Sequence, residues 1–252
     1  MTKHIRYRSG SATAYGILDG DTVREIQGGL FGDRTPTGVT HKLSDVKLLA
    51  PCEPGKILAV GLNYKSHLGG RPQPAHPEIF YKPVTALQDP EEPIVIPSEA
   101  TDVHYEGELV VVIGKRARNV SREEAASAIF GVTAGNDVSE RNWQHGQGKD
   151  LQWWRAKGCD TFAPLGPVIV TGVDYSNLQL ETRLNGETVQ KQTTGDLIFD
   201  CPAIVSRISG WVTLLPGDII YTGTPGSTRK MSPGDVVEVE LENVGTLRNP
   251  VV

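Results

Sequence analysis

The sequence has little of what would place it outside the cell or in a membrane. Its three cysteines, Cys52, Cys159 and Cys201, are far apart and odd in number. Such spacing makes neither a disulfide framework nor a metal motif, and a reducing cytoplasm is the expected home. No apolar run approaches the roughly 18 residues that a membrane span requires. The opening stretch MTKHIRYRSG is polar and charged and does not read as a secretory signal. The formal net charge is −5 with no tract of like charges, which argues against nucleic acid as a partner. Familiar fingerprints are missing as well. GTPGSTRK lacks the Gly-Lys-Ser/Thr ending of a phosphate loop at the required spacing. Neither a dinucleotide fingerprint nor a Gly-x-Ser-x-Gly elbow occurs. There is no internal repeat.

Helix signals are also scarce. The clearest is SREEAASAIFG, with Ser121 as N-cap, Glu124 as its capping-box partner and Gly131 as the stop. FDCPAIVSRISGWVTL is a second, with Pro202 in its first turn. What remains is short strands punctuated by turns. Asp19-Gly20 separates two extended runs in TAYGILDGDTVREI, and Asn185-Gly186 marks a turn in LQLETRLNGETVQKQ. Residues 28–40 read as loop. So does KSHLGGRPQPAHP, whose glycines and prolines disfavour a helix. The 252 residues fit one large domain or a domain with a small companion. A boundary near Pro51 divides a small N-terminal β domain, 1–50, from a main domain, 51–252. The fold class is β-rich α+β, not alternating βαβ.

The chemistry begins in DVHYEGELVVVIGK. A strand alternates faces, so Glu106 and Glu108 point the same way, roughly 6.5–7 Å apart. Carboxylates so placed before a buried run repel each other unless a cation compensates them. Asp137, at the end of the alternating run in GVTAGNDVSERNWQ, is a third candidate. Converging carboxylates suit a hard divalent cation, Mg²⁺ or Mn²⁺ rather than Zn²⁺, with His104 the one nitrogen donor nearby. The plain alternative is a solvated strand face and a turn cap.

HYEGELVVVIGK, GNDVSERNWQ, RAKGCDTFAPLGP, NGETVQKQTTGDLIF and LLPGDIIYTGTP together resemble, in order and spacing, the fumarylacetoacetate hydrolase family, from about Pro51 to the C-terminus. The resemblance implies a β-roll or sandwich catalytic domain, commonly dimeric, holding one Mg²⁺ or Mn²⁺ on Glu106, Glu108 and Asp137. It implies 2-oxo acid substrates, often with a second oxo or carboxylate group. It also implies that Arg141, Gln144 and Thr224 contact substrate, that Lys157 reaches the oxo group, and that His67 is the lid histidine. A chelated 2-oxo acid gives an enolate stabilised by the metal charge, open to tautomerisation, decarboxylation or carbon–carbon cleavage.

One departure bears on the outcome. The lead-in NYKSH carries His67, but position 70 is glycine where the family's hydrolases have a glutamate that orients the histidine. Glu78 is a replacement only if the lid folds back. Arg229 and Lys230, after TGTP, are candidates for a distal carboxylate. The leading reading is a metal-dependent isomerase, tautomerase or decarboxylase of 2-oxo acids. The alternatives are an acylpyruvate-type carbon–carbon hydrolase and a keto-acid-binding module without turnover.

Overall fold

The computed structural model describes residues 1–252. Four antiparallel strands open the chain: β1 (Thr2–Ser9), β2 (Ala12–Asp19), β3 (Thr22–Gln27) and β4 (Thr35–Lys42). Asp19 still pairs with Thr22, so the β2–β3 turn is Gly20-Asp21, one residue later than expected. Gly20 there takes a φ of 57°, which glycine adopts without strain. β4 occupies part of the segment expected to be loop. Nearly all its residues are exposed, so no apolar alternation marks it as a strand.

Next come β5 (Lys47–Leu49), β6 (Ile57–Gly61), β7 (Glu78–Lys82) and β8 (Leu87–Gln88). The centre is built by β9 (Val103–His104), β10 (Gly107–Ile113), β11 (Ile129–Asn136), β12 (Ser139–Glu140) and β13 (Ala163–Thr171). The remaining strands are β14 (Gln179–Leu184), β15 (Glu187–Thr193), β16 (Ile219–Tyr221), β17 (Val236–Leu241) and β18 (Gly245–Pro250). One long sheet runs β4-β3-β2-β1-β13-β11-β10-β16-β6-β7, and a four-stranded sheet runs β15-β14-β17-β18. The opening meander therefore shares a sheet with the rest, through the β1–β13 pairing. The β14–β15 turn is Asn185-Gly186, both at positive φ, as a two-residue hairpin demands.

Alternation along β10 sorts its buried residues onto two cores. Leu109, Val111 and Ile113 join the side chains of the four-stranded sheet, while Val110 and Val112 join a second cluster with Ala59, Ile169 and Tyr221. Helix α1 (Arg122–Ala128) has the expected capping box between Ser121 and Glu124. It ends at Ile129, not at Gly131. Gly131 lies inside β11, where a Cβ would stand 2.4 Å from the Val170 carbonyl oxygen, so its smallness serves strand approach. Two short helices, α2 (Arg141–His145) and α3 (Trp154–Gly158), lacked a sequence signal and flank the site. Helix α4 (Cys201–Ser209) is capped by Asp200. No helix is long and apolar enough to cross a membrane.

Candidate active site

Glu106 immediately precedes β10, Glu108 is its second residue, and Asp137 immediately follows β11. Antiparallel pairing sets Gly107 opposite Asn136 and Glu108 opposite Gly135, which brings the three carboxylates to one end of the hairpin. One oxygen from each lies within 4.8 Å of the others, and all three residues are buried. His104 is not with them. Its ring bonds to Asp102 and Thr228, both at 2.9 Å, and it does not line the cavity. Tyr105 and Glu106 lie between β9 and β10, and His104 pairs in a different sheet from β10, so alternation along one strand does not link His104 to Glu106.

Three cations answer the three carboxylates. Lys157, on α3, donates to Glu106 Oε2 and to Asp137 Oδ2, each at 2.6 Å, and so is not solvated. Arg141, at the start of α2, donates to Glu106 Oε1 at 2.6 Å, to Gln144 Oε1 at 2.7 Å and to Thr228 at 2.8 Å. Lys82, which sequence reasoning missed, donates to Asp137 Oδ1 at 2.5 Å from a fully buried side chain. The signal for it was there: Phe80 and Lys82 share the buried face of β7, so alternation carries a lysine into the interior.

Charge balance sets the protonation of the group. Burial alone would raise Glu106, but Lys157 and Arg141 outweigh it and hold its carboxyl well below the usual range. Glu108 has no such partner. Burial and the like charges of Asp137 and Glu106 push it well above the usual range, with only the Gly223 N–H, at 2.6 Å, opposing them among hydrogen bonds. Burial lowers Lys82 more than Asp137 raises it, whereas the two carboxylates on Lys157 overcome its burial.

His67 ends the single 3₁₀ turn Lys65–His67. The buried Asn63 anchors this lead-in by donating to the carbonyls of Phe199 and Thr222. Nδ1 of His67 meets the Gly226 carbonyl at 2.5 Å and so carries the hydrogen, and Nε2 lies 4.0 Å from Glu106 Oε1. The Gly226 N–H donates to Ser66 Oγ at 3.0 Å, so the turn grips that peptide unit from both ends. A backbone carbonyl thus orients His67 in place of the missing glutamate. Glu78 does not; it is exposed, at the outer end of β7, near His76.

Thr224 lines the cavity, but its hydroxyl donates to the Gly107 carbonyl at 2.9 Å and accepts from Gln190 at 2.8 Å. That proton is engaged within the protein, on the Gly107 carbonyl. Gln190, in the stretch NGETVQKQ, also holds the Pro225 carbonyl and braces the loop. Arg229 pairs with Glu187, and Lys230 lines a separate surface cavity, so neither faces the site. Trp153 borders the cavity, while Trp154 is largely exposed rather than core.

The cavity measures about 390 Å³, with Glu106, Glu108, Asp137, Lys157, Arg141, Gln144 and His67 all on its lining. Three hard oxygen donors, one of them with its charged form disfavoured, fit a divalent cation that would relieve their repulsion.

Residues 56–252 match the family described as fumarylacetoacetate (FAA) hydrolase, C-terminal, and residues 2–51 match the N-terminal family described as Rv2993c-like. The chain is 46% identical to protein Rv2993c of Mycobacterium tuberculosis, over 98% of this chain and 97% of that one. It is 41% identical to the mitochondrial oxaloacetate tautomerase fahd2 of Xenopus laevis, over 83% of this chain and 69% of that one. Among solved structures, the 2-hydroxyhepta-2,4-diene-1,7-dioate isomerase of Mycobacterium marinum superposes with a TM-score of 0.93 at 44% identity, covering 100% of this chain and 98% of that one. The family match over residues 56–252, with relatives of this identity across most of the chain, shows that the chain belongs to the fumarylacetoacetate hydrolase family.

Proposed function

We propose that this chain is a divalent-metal-dependent isomerase or tautomerase of 2-oxo acids, working through an enolate. The observation that carries the reading is His67: its Nδ1–H is held by a neutral carbonyl, and its Nε2 sits on the lining of a cavity floored by three carboxylates. Glu106, Glu108 and Asp137 would hold Mg²⁺ or Mn²⁺, which supplies Lewis-acid polarisation of the substrate carbonyl when bound. Lys157 and Arg141 place positive charge where the enolate oxygen develops. Nε2 of His67 takes a proton from the carbon beside the carbonyl and returns it, so the substrate changes form without losing atoms. Similarity to proteins named as an oxaloacetate tautomerase and a dienedioate isomerase supports the same choice.

Carbon–carbon hydrolysis is the second reading. A hydrolase asks its histidine to aim a water at the carbonyl carbon, and the carboxylate that would orient it for that task is replaced here by Gly70. Decarboxylation would share the enolate. In the same reading the protein is a homodimer acting on a small 2-oxo acid, with no nucleic acid and no membrane as partner.

Product analysis separates these outcomes. Followed by NMR with Mg²⁺, oxaloacetate and acetylpyruvate should show enol–keto exchange with the carbon skeleton intact. Pyruvate released together with a carboxylic acid would establish the hydrolase instead. Saturable binding of both acids with no turnover would leave a binding module.

A further inference from the structure

The lysine and arginine of the cavity floor are both spoken for, Lys157 by Glu106 and Asp137 and Arg141 by Glu106, and behind them the buried Lys82 holds Asp137. One cation on the lining is not. Arg71, four residues after His67 on the lid segment, borders the same cavity, and its guanidinium pairs with no carboxylate of the chain. Its backbone N–H donates to the Leu68 carbonyl at 3.0 Å, which ties its position to the 3₁₀ turn that carries His67. His145, at the end of α2, lines the cavity too. Its imidazole is held below its ordinary value by burial first and then by the charges of Arg141, Arg71 and Lys157, all three on the same lining. The acids on the lining are Glu106, Glu108 and Asp137 alone, and the neighbours Ser66, Gly69, Ser227 and Thr228 bring no negative charge. Lys157 and Arg141 are held by the floor carboxylates, and Arg71 is the cation on the lining that no carboxylate pairs. A guanidinium fork is the side chain best shaped to receive a carboxylate in two parallel hydrogen bonds.

Resting on the 2-oxo acid reading of this site, we infer that Arg71 binds the carboxylate at the far end of the substrate and selects dicarboxylic over monocarboxylic 2-oxo acids. His145 supports it from α2. The inference gives the lid a second task beside presenting His67: the substrate's head is held at the floor and its tail at the rim. It also replaces Arg229 and Lys230, which face elsewhere.

The test uses two ligands with the same head and chain length, 2-oxoglutarate and 2-oxopentanoate, which differ in a terminal carboxylate against a methyl group. Their affinities are measured by calorimetry on the full chain with saturating Mg²⁺. The wild-type protein should prefer the diacid by about tenfold or more, the worth of one charge-assisted hydrogen-bond pair. In Arg71→Gln that ratio should fall towards one, and Arg71→Lys should keep part of it, since an ammonium supplies charge without the fork. An unchanged ratio in Arg71→Gln, or no preference in the wild type, would overturn the assignment. If the wild type bound neither acid, the 2-oxo acid reading itself would fail and take the inference with it.

Discussion

Glu108 accepts one hydrogen bond, from the Gly223 N–H, while the charges of Asp137 and Glu106 crowd it in a buried place. A carboxyl whose folded-state value is raised binds its proton more tightly folded than unfolded. Its contribution to stability is full below the ordinary carboxylate range and is lost as pH rises towards the raised value. At neutral pH, without metal, Glu108 is therefore a destabilising residue kept for chemistry. Glu108→Gln should make the protein more stable to urea in EDTA, by about 1–2 kcal/mol, and should remove the stabilisation that Mg²⁺ gives the wild type. A variant less stable than wild type in EDTA would show that the crowding is not there. At this scale the trio of carboxylates was legible in the sequence because strand alternation and the resemblance agreed. Lys82 and the carbonyl on His67 were not. The first is a charged residue on an apolar face, which pattern reading dismisses, and the second is a main-chain contact across 159 positions that no side chain announces.

Where β1 meets β13, the buried His4 pairs with Thr171 at 3.2 Å and packs at 5.1 Å on the ring of Phe130. Burial first, and then Arg34, lowers its value from 6.5 to about 4. A lowered value gives stability that is complete above about pH 6.5 and lost as pH falls through about 4. Acidification across that window should cost up to about 3 kcal/mol at this joint. His4→Asn should flatten the loss, measured as urea midpoints between pH 7 and pH 4; an equally steep fall in the variant would clear His4 of the effect. Elements with local signatures were the readable ones. The capping box of α1, the Asn185-Gly186 hairpin and the Asp200-capped α4 are set by adjacent residues. Helices α2 and α3 are only five residues each, too short for an apolar period, and their one local mark is an acid just upstream: Glu140 accepting from the Trp143 N–H and Asp150 accepting from the Trp154 N–H. Gly131 illustrates the same limit. As a residue type it suggested a helix stop, but its reason is the carbonyl of a strand some forty positions away.

The molecule as a whole ends one side of its long sheet at β7, an unpaired edge beside a cleft of about 880 Å³. Tyr81, Val84, Leu151 and Trp154 are exposed around that cleft. An open edge with an apolar border is a surface that proteins usually cover. A homodimer formed here should sediment as a dimer in the wild type and dissociate more readily as Leu151→Asp; a wild-type monomer at micromolar concentration would end that proposal. The fold class was readable from turn spacing alone, whereas the continuity of β1 with β13 was not, because pairing between distant strands leaves no local mark. Metal and enolate act together in this site, and one rate tests both. Conversion of the enol form of oxaloacetate to the keto form should accelerate with the wild-type protein and Mg²⁺, and should fall to the uncatalysed rate with EDTA or in Glu108→Ala. Acceleration that persists in EDTA, or in Glu108→Ala, would contradict the account.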